Sequence, residues 1–157
     1  MRTSTVIALL LSAVLSAGCS TEPENTNIPG APVSFIIAPT PTGADNALAV
    51  DGNAKLYDKT HPAVLSAGYG RYGYAGVIVV RAYDGVLYAF DACCTYEAEQ
   101  NAQLAPDGYL ATCPLCKSSF EIGNGSGYAL PDAKAGQPLK RYKAYPCGNN
   151  EYRIINQ

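Results

Sequence analysis

The chain has 157 residues, with 11 Lys+Arg against 13 Asp+Glu and a single histidine. That length suits one domain, and 48% apolar with 15% charged residues excludes a disordered charged tail. A net charge of −2 excludes the basic footprint that nucleic-acid binding requires. With 15 Gly, 11 Pro and 12 Tyr but no Trp, the composition favours short strands and tight turns over long helices. Six cysteines are the unusual part of the inventory.

Arg2 gives a basic start, and Val6 to Leu15 form an apolar run interrupted only by Ser12. The run is too short to span a bilayer as a helix but suits the apolar core of a secretory signal. It ends Leu15-Ser16-Ala17-Gly18-Cys19, which resembles the lipobox of bacterial lipoproteins. The resemblance implies that residues 1–18 are removed and that Cys19 is diacylated as the first mature residue. The expected location is then the outer membrane of the envelope, with the membrane as a partner through the lipid anchor. Residues 19–32 are polar and carry Pro23, Pro29 and Pro32 without apolar period, the composition of a tether. An envelope compartment is often oxidising, so disulfides compete with any metal site built from the remaining cysteines.

The domain is expected over residues 33–157. Val33 to Ala38 is long enough for one strand, and a mixed segment to Gly70 follows. It holds His61, which precedes Pro62 and reads as a loop surface residue rather than a ligand. Gly76 to Tyr83 is β-branched and reads as a buried strand, and Val86 to Asp91 reads as its partner. Asp84-Gly85 between them is a hairpin signal, with both turn positions expected at positive φ. Tyr109–Thr112 and Ser119–Ile122 predict two further strands, and a glycine-rich turn leads into Tyr128–Leu130. Arg141–Tyr145 and Glu151–Ile155 predict a closing hairpin across Gly148-Asn149-Asn150. No segment after the signal shows a 3.6-residue period, so the domain is expected to be all-β.

Cys93-Cys94 follows the second strand of the Asp84-Gly85 hairpin, and Cys113-Pro114-Leu115-Cys116 follows the strand from Tyr109. Two intervening residues let both sulfurs of a C-x-x-C knuckle face one centre. Adjacent cysteines are a poorer pair, because neighbouring side chains point apart unless the loop bends sharply. Asp91, Glu97 and Glu99 beside the first loop read as a solvated acidic rim. Cys147, in the closing hairpin, reads as a small buried residue.

The run Tyr88-Ala89-Phe90-Asp91-Ala92-Cys93-Cys94-Thr95-Tyr96 resembles the first cluster loop of Rieske-type iron–sulfur domains, a strand followed by C-x-H. Thr112-Cys113-Pro114-Leu115-Cys116-Lys117-Ser118-Ser119-Phe120 resembles their second loop, C-P-x-H-G-x-x-F. The likeness covers roughly residues 70 to 155 and implies a Rieske-like antiparallel β-sandwich with two metal-binding-type loops. It places Cys94 and Cys113 on the two family cysteines. Tyr96 falls where the first histidine belongs, Cys116 on the second histidine, and Lys117 on the usual glycine. The family holds one iron on two cysteines and the other on two histidines, so a histidine-ligated centre is excluded here.

What the resemblance implies is therefore an electron-transfer domain with a [2Fe–2S] cluster on Cys94, Cys113, Cys116 and Cys93, with an unidentified redox partner protein. Two other readings stand beside it: a cluster-free binding domain stapled by disulfides, and a structural zinc site on the same sulfurs. No Ser/His/Asp set and no phosphate-binding glycine loop suggest an enzyme.

Overall fold

The structure is a computed structural model and describes residues 26–68 and 70–157; the signal segment and Cys19 lie outside the described residues. Among the described residues, nine strands form two antiparallel sheets. In chain order they are β1 (Ser34–Ile37), β2 (Ala54–Tyr57), β3 (Val77–Arg81), β4 (Leu87–Asp91), β5 (Ala105–Asp107), β6 (Leu110–Thr112), β7 (Ser119–Glu121), β8 (Arg141–Gly148) and β9 (Glu151–Ile155). The larger sheet runs β1-β9-β8-β4-β3-β2 and the smaller β5-β6-β7. One short helix, α1 (Pro62–Ser66), and a single 3₁₀ turn at Asn46–Ala49 complete the described elements. Among the described residues no helix is long and apolar enough to cross a membrane.

The central strand β3 explains its own composition. Val77 and Val79 pack on one face with Phe35, Leu48, Tyr57 and Ile154. Ile78 and Val80 pack on the other with Phe90, Leu104, Phe120, Ile122 and Leu139. A strand buried on both faces reads as an unbroken apolar run rather than an alternating one. The second of these cores also contains Cys94, Cys113 and Cys116.

The β3–β4 hairpin forms as expected, with Val77 opposite Asp91 and Arg81 opposite Leu87. Its turn differs. Of Asp84 and Gly85, only Gly85 has positive φ, at 74°. Gly85 N–H donates to Ala82 O at 3.1 Å, and Ala82 N–H to Val86 O at 2.9 Å. This is a three-residue loop with glycine at the left-handed position. Asp84 acts through its carboxylate, which accepts from Val86 N–H at 2.9 Å. The two-residue turn with both positions at positive φ occurs instead in the closing hairpin, at Asn149 (51°) and Asn150 (59°).

Two segments depart from their expected roles. Residues 27–32, read as tether, lie against the domain. The Asn27 side-chain amide donates to Thr95 O at 2.9 Å, and Ile28 is buried with Ala75 and Cys93. Asp91 is no part of an acidic rim: it is fully buried, whereas Glu97 is half-buried and Glu99 exposed. Its Oδ2 accepts from Tyr74 N–H at 2.7 Å and Tyr142 Oη–H at 2.6 Å. Its Oδ1 accepts from Ala75 N–H at 3.2 Å and Cys93 N–H at 2.9 Å. Burial pushes this carboxyl above the usual range, against the pull of Tyr142 and the three backbone donors. Gly73, at φ 80°, leaves room for the arrangement, because a Cβ there would stand 2.8 Å from Asp91 Oδ2.

Asp91→Asn tests this hub. The amide supplies one acceptor oxygen for donors that now use two, and leaves at least one buried N–H without a partner. The expected loss is about 1–3 kcal/mol in urea unfolding.

Candidate metal centre

The two cysteine loops leave the C-terminal ends of β4 and β6. The first is closed on itself: Cys94 N–H donates to Ala102 O at 3.1 Å, Ala98 N–H to Cys94 O at 2.8 Å, and Leu104 N–H to Ala92 O at 2.7 Å. In the second, Cys113 N–H donates to Ser118 O at 2.9 Å and Lys117 N–H to Cys113 O at 3.1 Å. That tight return requires a left-handed residue, and Lys117 supplies it at φ 64°. Its ammonium donates to Pro114 O at 2.7 Å and so closes over the loop.

The loops bring three sulfurs together. Those of Cys94, Cys113 and Cys116 all lie within 4.8 Å of one another, and Cys94 Sγ stands 3.6 Å from Cys116 Sγ. Cys94 and Cys113 are fully buried and Cys116 is 8% exposed. Cys93 is not brought into the group. Its thiol donates to Glu99 O at 3.3 Å and packs with Ile28 and Ala75. The cause is strand geometry: Cys93 is bridged to Gln103 in extended pairing, and successive extended residues face opposite sides. Tyr96, at the first histidine position of the resemblance, is exposed.

The surroundings favour anionic sulfur at one end of the group. Burial opposes a Cys116 thiolate, yet the Ser118 hydroxyl and N–H, with Cys94 and Cys113, outweigh it and hold this thiol below its ordinary range. Burial pushes Cys94 up to about 12, although the backbone N–H groups of Glu97 and Tyr96 point at its sulfur and pull the other way. Ser118 is a site residue that sequence reasoning missed. It is fully buried, with Oγ 3.2 Å from Cys116 Sγ and accepting from Ala135 N–H at 3.1 Å. A small polar residue two positions after a C-x-x-C knuckle was its only signal.

His61 stands apart from this group. Its Nδ1 accepts from Ala63 N–H at 3.2 Å and caps α1, and its ring lies 4.4 Å from that of Tyr57. Burial, and then the Lys55 ammonium, hold it below the ordinary histidine range. Cys147 is exposed rather than buried.

Three convergent sulfurs suit a soft or borderline metal ion. They do not suit a [2Fe–2S] cluster, which takes four protein ligands divided between two irons. Among the described residues no other His, Cys, Asp or Glu joins the group.

No family model matches the chain, and no curated protein matches its sequence. Solved structures do resemble it. A chain in the complex of reduced oxygenase and oxidized ferredoxin in carbazole 1,9a-dioxygenase matches 80% of this chain and 94% of its own, at 15% identity and a TM-score of 0.50. The quaternary ammonium Rieske monooxygenase CntA matches 80% of this chain and 32% of its own, also at 15% identity and a TM-score of 0.50. The chain therefore has the Rieske-type fold.

Lysine at a left-handed position costs roughly 1 kcal/mol relative to glycine. Lys117→Gly should raise stability by up to about that amount, less what the bond to Pro114 O contributes. Chemical unfolding of the metal-free, reduced protein measures it, and a decrease would mean that the Lys117–Pro114 contact outweighs the strain.

Proposed function

We propose that this Rieske-fold domain binds metal through Cys94, Cys113 and Cys116 and carries electrons at the surface of a bacterial membrane. One observation carries the reading: two separate loops deliver three buried sulfurs to one point. Backbone N–H donors aimed at two of those sulfurs fit metal-bound thiolates, which keep their charge inside an apolar pocket. Electron transfer is carried over from the structural neighbour described as a complex of reduced oxygenase and oxidized ferredoxin. Bound iron would supply the redox change. The chain's own part is to hold the thiolates, exclude water and keep Ser118 on Cys116.

Protein purified without oxygen from iron-replete cells should be coloured and should bleach reversibly on reduction. Cys113→Ser and Cys116→Ser should each remove the colour, and His61→Ala should leave it unchanged. Colourless protein with one tightly held zinc would keep the metal site and end the electron-transfer claim. The 3.6 Å between Cys94 and Cys116 sulfurs also favours a second reading, a disulfide formed after a small shift. Colourless, metal-free protein whose thiols titrate only after reduction would establish it.

Attachment to the membrane is part of the same proposal, and the lipobox-like run ending at Cys19 supports it. A diacyl anchor would hold the domain at the outer membrane while leaving it soluble in itself. In a native host a palmitate analogue should label wild type and not Cys19→Ala; equal labelling of both would refute the anchor.

A further inference from the structure

We infer that Cys94, Cys113 and Cys116 hold a single metal ion whose fourth position is open to an exogenous neutral ligand, in place of a binuclear cluster. This rests on the metal-binding reading above and departs from what the fold would lead one to expect.

The sulfur spacing is that of one ion. A tetrahedral metal with metal–sulfur bonds of about 2.3 Å has sulfur–sulfur edges of about 3.8 Å. Cys94 and Cys116 are 3.6 Å apart, and the third sulfur lies within 4.8 Å of both. In a binuclear cluster the protein ligands fall into two pairs, one on each iron. Cys94 and Cys116 fall on positions that the resemblance assigns to different irons, yet here their sulfurs are in contact. Three ligands also cannot make two pairs, and the two candidates for a fourth are both turned away. Cys93 faces the other side of its loop, bonded to Glu99 O, and Tyr96 is exposed to solvent.

Three protein ligands with a free fourth position are the arrangement of open rather than closed thiolate sites. The way in is on the Cys116 side. Cys94 and Cys113 have no exposed surface, Cys116 has a little, and its neighbour Leu115 is 56% exposed. Charge sets the class of ligand. A divalent ion on three thiolates already carries one net negative charge in an apolar core, and a fourth anion would add a second at high desolvation cost. Water or a neutral nitrogen base is therefore favoured over a thiolate.

Cobalt(II) tests this on the full chain, reduced and metal-free. Uptake should saturate at one cobalt per chain, with thiolate charge-transfer bands and tetrahedral ligand-field bands. Imidazole should then shift the ligand-field bands saturably, and Cys93→Ala should behave as wild type in both respects. Cys116→Ser should weaken the charge-transfer bands. Bands that ignore imidazole and change in Cys93→Ala would reveal a closed four-sulfur site and overturn the inference. Reconstitution with ferrous iron and sulfide that yields two irons and matching acid-labile sulfide would also overturn it, while leaving the proposed function standing. Failure to take up cobalt or iron at all would overturn both.

Discussion

A carboxylate with four hydrogen-bond donors holds the architecture of this domain together. Asp91 ends β4 one residue before the first cysteine loop begins. Its two oxygens reach back to the segment before β3 through Tyr74 and Ala75, forward to Cys93, and across to β8 through Tyr142. Ionised and unpaired, it would be costly at zero exposure; with two donors on each oxygen it becomes a rivet. One side chain thus ties three stretches of chain together: the segment before β3, the end of β4 with the start of its loop, and β8. Because Cys93 N–H is one of the four donors, the direction in which the first loop leaves the sheet is set at the same point. Cys94 follows directly, and its sulfur is aimed by a backbone that Asp91 has already positioned.

That aim decides the chemistry. With Cys93 bridged to Gln103 and Cys94 N–H on Ala102 O, adjacent side chains point apart and one thiol goes to each side of the loop. One joins the apolar core that contains Cys113 and Cys116, and the other joins Ile28 and Ala75. Recruiting both to one centre would require a bulge, which would break the Cys94–Ala102 and Ala92–Leu104 hydrogen bonds that close the loop. The adjacent cysteines thus do separate work, one at the site and one under the segment that approaches from the N-terminal side.

Much of this was legible in the residues, though not always for the right reason. The Gly76–Asp91 hairpin was readable because β-branched runs flank an Asp-Gly pair, yet the turn is the longer form in which only glycine needs a left-handed backbone. The mirror-image two-residue turn appeared at Asn149-Asn150, where two asparagines carried the signal instead. Strand β2 (Ala-Lys-Leu-Tyr) and the five-residue α1 were too short and too mixed to show a period. Their existence depends on partners far along the chain: β2 on the edge of β3, and α1 on β1. Asp91 was misread because an isolated acidic residue beside two glutamates carries no mark of burial. Only the fold reveals the donors, which come from up to 51 residues away. Ile28 was hidden likewise, one apolar residue among prolines and asparagines.

The second loop shows how the fold tolerates departures at the site without losing it. Where the resemblance has glycine, the backbone still turns left-handed and a lysine carries the strain, offset by its bond to Pro114 O. Where it has histidine, Cys116 is a shorter side chain, so its sulfur sits closer to the loop backbone than an imidazole nitrogen would. Ser118 stands beside it, its oxygen accepting from Ala135 N–H and lying 3.2 Å from the Cys116 sulfur. Shortening one ligand and turning another away leave three sulfurs within 4.8 Å of one another where the resemblance would set four ligands. The strands and the carboxylate rivet need not change for this to happen, because every altered position lies beyond the end of β4 or β6.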